Sequence, residues 1–434
     1  MMGKSYQRKT RRSRRKVHNL QDQAVTVDVA GGKASFQMVL PMSPLLSEVA
    51  GAIEQTAAQA GLLMMKALID EEVEQIAGVR YEHQADRQAT RWGHDEGHVI
   101  FGGRKVAMPR PRVRSVEGHE VPLQRYQAFA HPQRMQEAVS QRILRRVSTR
   151  DYAGALDDVC DGYGIAKSSV SRHWKAASRQ QLKEMLERPL GNLDLCVVFL
   201  DGKEFHDFTL IVAVGVDRQG RKHVLGLWSG ATENAEVCGA LLDDLIERGL
   251  SKDPSYLFVL DGAKALKKAV VSRFGSKALI QRCRVHKKRN LQKYLPKKYH
   301  GMLSLKLKMA WGMTDYDQAF KELRKVHDWL ASINQAAASL EEGLEETLTI
   351  NRLGLPPQLR RIFSSTNLIE SCFSWAGDLC RGVKRWRDGN MACRWAASVL
   401  LDAQSRFRRI QAYSQLPQLI NAMATLLDRQ EAAA

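Results

Sequence analysis

The sequence predicts an α/β protein: a sheet-based core, interrupted by an all-helical insertion and preceded by a mainly helical, basic region. Three observations carry this. Between Leu193 and Cys283, five apolar runs of strand length occur in the order strand, strand, strand, helix, strand, helix, strand. Two of those runs, LCVVFL and YLFVL, end in Asp-Gly, at Asp201 and Asp261. Lys and Arg outnumber Asp and Glu by 66 to 47, a formal charge of +19 over 434 residues.

That length accommodates roughly three domains, and the charge calls for a polyanionic partner, with nucleic acid the default. A membrane partner is not expected. The longest apolar runs, Leu195 to Leu200 and Leu210 to Val214, are too short to span a bilayer. The opening KSYQRKTRRSRRKVH has no apolar stretch behind its charges, so it is not read as a secretory signal, and a cytoplasmic, nucleoid-associated protein is expected. Seven cysteines (160, 196, 238, 283, 372, 380 and 393) are scattered without a CxxC, so a disulfide framework is not expected.

Residues 1–20 form a basic tail, with eight Lys or Arg and no acid in the first eighteen. Such a segment stays disordered until it meets phosphate. It is either a DNA-gripping arm, through Arg11, Arg12, Arg14 and Arg15, or a solubilising tail. Residues 21–78 read as helical, with a helical pair from Pro44 to Ile76 carried by Leu45, Val49 and Ile53, then Leu62, Met65, Leu68 and Ile69.

Residues 79–134 form a small basic β-hairpin module. Gly97, Gly102 and Gly103 make turns around the strands Val99–Phe101 and Lys105–Met108, and Pro109 and Pro111 force an extended exit. Arg104, Lys105, Arg110, Arg112 and Arg114 line it, as a phosphate-facing arm or as an ordinary solvated face. The motif His94-Asp95-Glu96-Gly97-His98 is not a zincin helix, because the acid after the first His is Asp and two glycines flank it.

Residues 135–190 suggest a helix-turn-helix. A short helix from Tyr152 to Cys160 is broken by DGYG, and a second begins in a Ser-rich cap, offering Ser168, Ser169, Ser171, Arg172 and Lys175 to DNA. Val170 and Trp174 anchor that helix to a core.

Residues 191–298 carry the first part of the core, and their element order is that of the RNase H-like fold. In that fold the first and fourth strands are neighbours, so acids at their carboxyl ends meet. Two adjacent carboxylates repel unless cations lie between them, the requirement of a two-metal phosphoryl-transfer site. Either Asp-Gly alone would be only a turn. Residues 299–355 read as the helical insertion and 356–434 as the second part of the core, where SSTNLIESCFSWAGDLCR opens a helix at Ser365 or Thr366. Glu370, one turn in on an otherwise apolar face, is either surface-exposed or a third ligand that needs a partner.

Together, RWGHDEGHVIFGGRKVAMPRPRVR, the strand ending FLDG, VLDGAKAL, QRCRVHKKRNL and STNLIE resemble the mutator-type transposases of bacterial insertion sequences, over approximately residues 80–410. The resemblance implies a DDE triad of Asp201, Asp261 and Glu370 holding two Mg2+ ions, for which Mn2+ substitutes. It also implies terminal inverted repeats and target DNA, both double-stranded, as substrates, and a homo-oligomer, a dimer on paired ends. Cys283 and His286 match the family's Cys-x-x-His, which either supports the active site or touches DNA; a second ligand pair for zinc is not visible. Lys287, Lys288 and Arg289, with Arg282, Arg284 and Lys293, are expected to face phosphate. The basic residue commonly found two turns after the Glu is not at Gly377; Arg381, Lys384 and Arg385 follow later. The rival readings are an RNase H-like nuclease or resolvase without strand transfer, and a DNA-binding regulator.

If the tail grips phosphate, deleting residues 1–16 should weaken binding to every DNA sequence. It should also flatten the salt dependence, by about 0.9 in log–log slope for each phosphate that the tail neutralises. Mobility shifts across a salt series measure this; an unchanged slope leaves the tail as a solubilising segment.

Overall fold

The computed structural model describes residues 26–29, 32–35, 46–82, 87–156, 163, 165–205, 208–230, 235–333, 335–380, 383 and 385–432. The chain divides into two units: residues 1–96 with 108–125 and 157–161, and residues 97–107 with 126–156 and 162–434. In chain order the first elements are β1 (Thr26–Val29), β2 (Gly32–Ser35), α1 (Leu46–Ala77), β3 (Ala89–Asp95), β4 (His98–Phe101), β5 (Arg104–Ala107), β6 (Arg110–Ser115) and β7 (Glu120–Val121).

In the first unit, β1 and β2 pair antiparallel within a stretch expected to be helical, and β3, β6 and β7 form a sheet in that order. The expected helical pair is one continuous helix, α1. Its only breakers after Pro44 are Gly51 and Gly61, and an interior glycine costs about 1 kcal/mol, too little to end a long helix. Ile69, Val73 and Ala77, four apart, are its buried stripe. Buried Glu72 accepts from the backbone N–H groups of Gln124 and Arg125 at 2.7 and 2.9 Å.

The second unit opens with the β4–β5 hairpin. Its two-residue turn, Gly102-Gly103, has φ of +58° and +84°, where only glycine sits without strain. A Cβ on Gly103 would lie 2.7 Å from an Arg142 guanidinium nitrogen. Helices α2 (Gln124–Ala130), α3 (Pro132–Leu144) and α4 (Lys167–Glu187) follow. Where a helix was expected from Tyr152, the described part is a 3₁₀ turn, Ala153–Ala155. Tyr152 is fully buried, its hydroxyl donating to the Gly103 carbonyl, which holds this segment against the hairpin. The remainder of that helix and its DGYG turn lie outside the described residues, Tyr163 apart. The second helix is present as α4, with Val170 and Trp174 buried as anticipated.

Next come β8 (Leu195–Phe205), β9 (Phe208–Asp217), β10 (Lys222–Gly230), α5 (Ala235–Glu247), β11 (Tyr256–Leu260), α6 (Lys264–Phe274) and β12 (Ala278–Arg282). They build a five-stranded sheet in the order β10-β9-β8-β11-β12. The first three strands are antiparallel and the last two join parallel to β8. The apolar runs are continuous because both faces are covered. Val198, Leu200, Ile211 and Phe258 pack with α5 and α6 residues such as Leu241, Leu245 and Val270. Val197, Phe199, Val212 and Val259 pack on the opposite side with Trp174 and Met185 of α4 and residues beyond 350.

After α7 (Arg284–Tyr294), helices α8 (His300–Gly312), α9 (Tyr316–Ala331) and α10 (Ala336–Glu341) enclose a core of their own, including Leu303, Leu323 and Leu340. Helices α11 (Thr349–Arg352), α12 (Pro357–Phe363), α13 (Asn367–Cys380), α14 (Gly389–Ser405) and α15 (Leu416–Glu431) return to the sheet. Trp174 of α4 meets Trp395 of α14 edge-on, ring centroids 4.7 Å apart.

Three cations expected to face DNA phosphate are instead buried where the helical insertion meets the sheet. Lys287, 1% exposed, donates from Nζ to the carbonyls of Ser339 and Glu342 at 2.5 and 2.6 Å. Arg282 donates to Glu342 and Gly262 carbonyls, and Arg284 to those of Thr347 and Trp311. Arg360 adds bonds to Gly312 and Met313. The reason is local: α8 and α10 end here, and a helix C-terminus leaves carbonyls without donors at the negative end of its dipole. Burial pushes the Lys287 ammonium down to about 8 and, helped by Arg360, the Arg284 guanidinium to about 9.

Lys287→Met keeps the volume but removes the donors; Glu342 retains its bond from Arg282, while the Ser339 carbonyl is left without its donor, at about 1–3 kcal/mol. The melting temperature should drop and proteolysis within residues 300–341 should rise. Exposed Lys293→Met should change neither.

Candidate active site

The site is built on the parallel pairing of β8 with β11, which sets Leu200 opposite Leu260 and so brings Asp201 and Asp261 to neighbouring positions. Asp201 was expected at the carboxyl end of its strand. Instead β8 runs on to Phe205, because Asp201 through Phe205 continue to pair with β9 after β11 has ended. Asp201 is 4% exposed. Asp261 follows β11 and accepts from the Ala263 N–H at 2.8 Å, turning the chain into α6. That turn needs glycine next: Gly262 has φ +106°, and a Cβ there would lie 2.3 Å from Arg282 Nε.

Glu370 arrives on α13, its N–H donating to the Thr366 carbonyl one turn earlier. Asp201, His286 and Glu370 each offer a ligand atom within 4.8 Å of the others. Asp261 is not in that trio, and it acts on Asp201 through space.

Thr366 and Cys283 hold these pieces in register. The Cys283 N–H donates to the Leu260 carbonyl at 2.7 Å, tying the β12–α7 corner to the end of β11. Cys283 Sγ, fully buried, accepts from the Thr366 N–H at 3.4 Å and lies 3.3 Å from His286 Nδ1. The Thr366 hydroxyl lies 3.4 Å from His286 Nδ1 and 3.6 Å from Cys283 Sγ, near enough to Asp201 to favour its ionised form. The Arg284 N–H donates to the Ser364 carbonyl at 2.9 Å. The Cys-x-x-His turn thus straps down the start of the helix that bears Glu370, and Cys283 is out of reach of any DNA.

The electrostatics follow from burial. The Asp201 carboxyl is pushed up to about 8, first by burial and then by the charge of Asp261, while His286 and the Thr366 hydroxyl pull it back. Burial also raises Asp261, against the Ala263 N–H, His286 and Arg282. Two acids that resist ionising together, with carboxylate oxygens and one imidazole converging, are a donor set suited to hard divalent cations.

Several expected contacts are placed differently. Arg289 is exposed but engages Glu370, Nη1 to Oε1 at 2.9 Å. Lys288 is half-buried. Arg110 pairs with Glu120 at 2.7 Å, and Arg112 reaches Asp95 and Glu120 at 3.5 Å, so acids already pair with these two arginines of the arm. Arg104 is half-buried and Lys105 exposed; Arg114 lies over the exposed Trp92 ring. On α4, Arg172 and Ser171 are exposed while Ser169 and Lys175 are half-buried. In the motif at His94 to His98, His94 and Asp95 end β3 and His98 begins β4, so it forms no helix. Arg11, Arg12, Arg14, Arg15, Arg381 and Lys384 lie outside the described residues. Sequence reasoning missed Thr366 as a site residue, although Ser-Ser-Thr before an apolar helix is a capping signature. It also missed the Arg289–Glu370 pair, which no spacing announces. No helix among the described residues is long and apolar enough to cross a membrane.

Several known proteins are similar to this chain. The profile described as "Transposase, Mutator family" matches residues 47–407. The transposase for insertion sequence element IS256 in transposon Tn4001 of Staphylococcus aureus is 26% identical over 352 residues, 77% of this chain and 86% of that protein. The transposase for insertion sequence element ISRM5 of Rhizobium meliloti (strain 1021) is 25% identical over 315 residues, 71% of this chain and 77% of its own length. For the transposase of IS6120 from Mycolicibacterium smegmatis, the identity is 27% over 248 residues, 55% and 75% respectively.

The raised Asp201 carboxyl has a signed consequence. Between 3.8, its value in an unfolded chain, and about 8, the folded protein keeps a proton that the unfolded chain has lost. Stability therefore falls as pH rises through that window. In chelator, Asp201→Asn removes this titration, so its melting temperature should gain on that of the parent chain progressively from pH 5 to about pH 8 and level off above it. Parallel melting curves across that range would contradict the raised, buried carboxyl.

Proposed function

The chain belongs to the Mutator family of transposases, and we propose that it binds the terminal inverted repeats of a mobile element, cuts there and joins the ends to target DNA. In this reading the five-stranded sheet is an RNase H-like core, residues 191–298 and 356–434, interrupted by the helical insertion 299–355. Residues 135–190 present α4 as the reading helix of a helix-turn-helix, with residues 79–134 and the basic tail adding phosphate contacts. Residues 21–78 complete the N-terminal region, and paired ends call for a homodimer.

The observation that carries the reading is the placement of Asp201 on β8 and Asp261 directly after the parallel β11, with Glu370 delivered beside Asp201. As a DDE triad these acids would hold two Mg2+ ions, with Mn2+ able to substitute. Such ions, when bound, activate a water or 3′-hydroxyl and stabilise the leaving oxygen. The chain's own part is to prepare the ground. Burial of Asp201 excludes water from one side, the nearby Thr366 hydroxyl favours its ionised form, and the Cys283 and Thr366 contacts occupy the Nδ1 side of His286, leaving Nε2 towards Glu370 at 3.4 Å. Exposed Arg172 and Ser171 on α4 supply donors for DNA well away in sequence from the acids.

The test is a cleavage and strand-transfer assay on an inverted-repeat substrate with binding measured in parallel. Asp261→Asn should lower both reactions by on the order of a thousandfold or more while leaving end binding near the parent level. Glu370→Gln should do the same, and the double variant should lose no more than either single one. Wild-type cutting by Asp261→Asn would end the triad assignment.

A further inference from the structure

Arg289 sits on α7 three residues after His286, and its guanidinium meets both oxygens of Glu370, Nη1 to Oε1 at 2.9 Å and Nη2 to Oε2 at 3.5 Å. His286 Nε2 is 3.4 Å from the same Oε1. Glu370 is therefore already neutralised by a side chain at the place where the preceding reading needs it for a metal. Three neighbouring basic side chains of this segment are committed elsewhere: Arg282, Arg284 and Lys287 are buried under carbonyls of the helices that follow. Arg289 differs, being 53% exposed, with Glu370 25% exposed. An ion pair this open to water is weak and easily exchanged.

We propose that Arg289 is an exchangeable counter-ion, which neutralises Glu370 while the site holds no cation and moves to a DNA phosphate once a divalent ion claims Glu370. This rests on the reading of Glu370 as a metal ligand. The exchange follows from charge. A dication near Asp201 and Glu370 competes with the guanidinium for the same oxygens and repels it. The displaced fork matches phosphate oxygens in the two-pronged geometry it now uses on the carboxylate. Metal binding and DNA binding then become thermodynamically coupled through one side chain, each favouring the other.

The experiment uses the full-length protein, with two readouts that do not depend on catalysis. Calorimetric titration with Mn2+, without DNA, should show Arg289→Gln binding the ion about threefold tighter than the parent, because the competing cation is gone. The salt dependence of binding to an element-end duplex should match the parent in chelator. In Ca2+ it should be shallower by about one charge. Arg289→Lys, which keeps the charge, should retain the parent slope in both conditions. A slope reduced equally in chelator and in Ca2+ would mean that Arg289 holds phosphate without leaving Glu370, and a slope unchanged in both that it never reaches DNA; either overturns the exchange. Asp201→Asn separates the premises. If it binds Mn2+ as the parent does, the metal-site reading fails and the exchange with it; if it loses Mn2+ while Arg289→Gln binds Mn2+ no tighter than the parent, the exchange alone fails.

Discussion

The parallel register of β8 and β11 is the constraint on which the rest depends. Setting Leu200 opposite Leu260 brings two carboxylates side by side at a sheet buried on both faces. Such a placement is costly, and the raised carboxyl of Asp201 records that cost. It persists because the strands are held by packing that has nothing to do with the acids: α5 and α6 on one side, α4 and the helices after residue 350 on the other. A rigid apolar frame supports a strained polar edge, which is how a site can be prepared for cations before any arrive.

Around that edge, loose ends of the backbone are satisfied by side chains that also join separate parts of the chain. Carbonyls left over at the ends of α8 and α10 take their donors from Arg284, Lys287, Arg360 and Arg282, and these bonds fasten the intervening helices to β12, α7 and α12. Cys283 fastens the corner after β12 to the segment that starts α13. The insertion, nearly sixty residues long, therefore leaves and rejoins the sheet without displacing Glu370 from Asp201. Arg289 occupies the opposite regime: on the same helix as Lys287 but open to water, it makes a pair that can break.

Local periodicity determined much of this protein. Strand-length apolar runs, the glycines of the Gly102-Gly103 turn, the order of five strands and the two Asp-Gly corners depend on neighbours in the chain, so they are legible in the sequence alone. The family was legible too, because Asp201, Asp261, Cys283, His286 and Glu370 stand in order within recognisable strings. Expectations failed where one local signal had to outvote another. Two glycines did not divide α1, and the run after Tyr152 made a 3₁₀ turn because its tyrosine was drawn under a hairpin some fifty positions away.

Tertiary structure alone decided which charges meet. In the sequence, Arg282, Arg284, Lys287 and Arg289 are equivalent members of one basic run, and all were expected to face phosphate. The fold buries three under helix C-termini and turns the fourth onto Glu370, distinctions made by carbonyls and a carboxylate 27 to 81 residues away. It also groups His286 with Asp201 and Glu370 and leaves Asp261 beside them, bonded to its own turn. A residue's type and spacing specify the element it enters; its electrostatic partner is specified only by which other elements pack against that one.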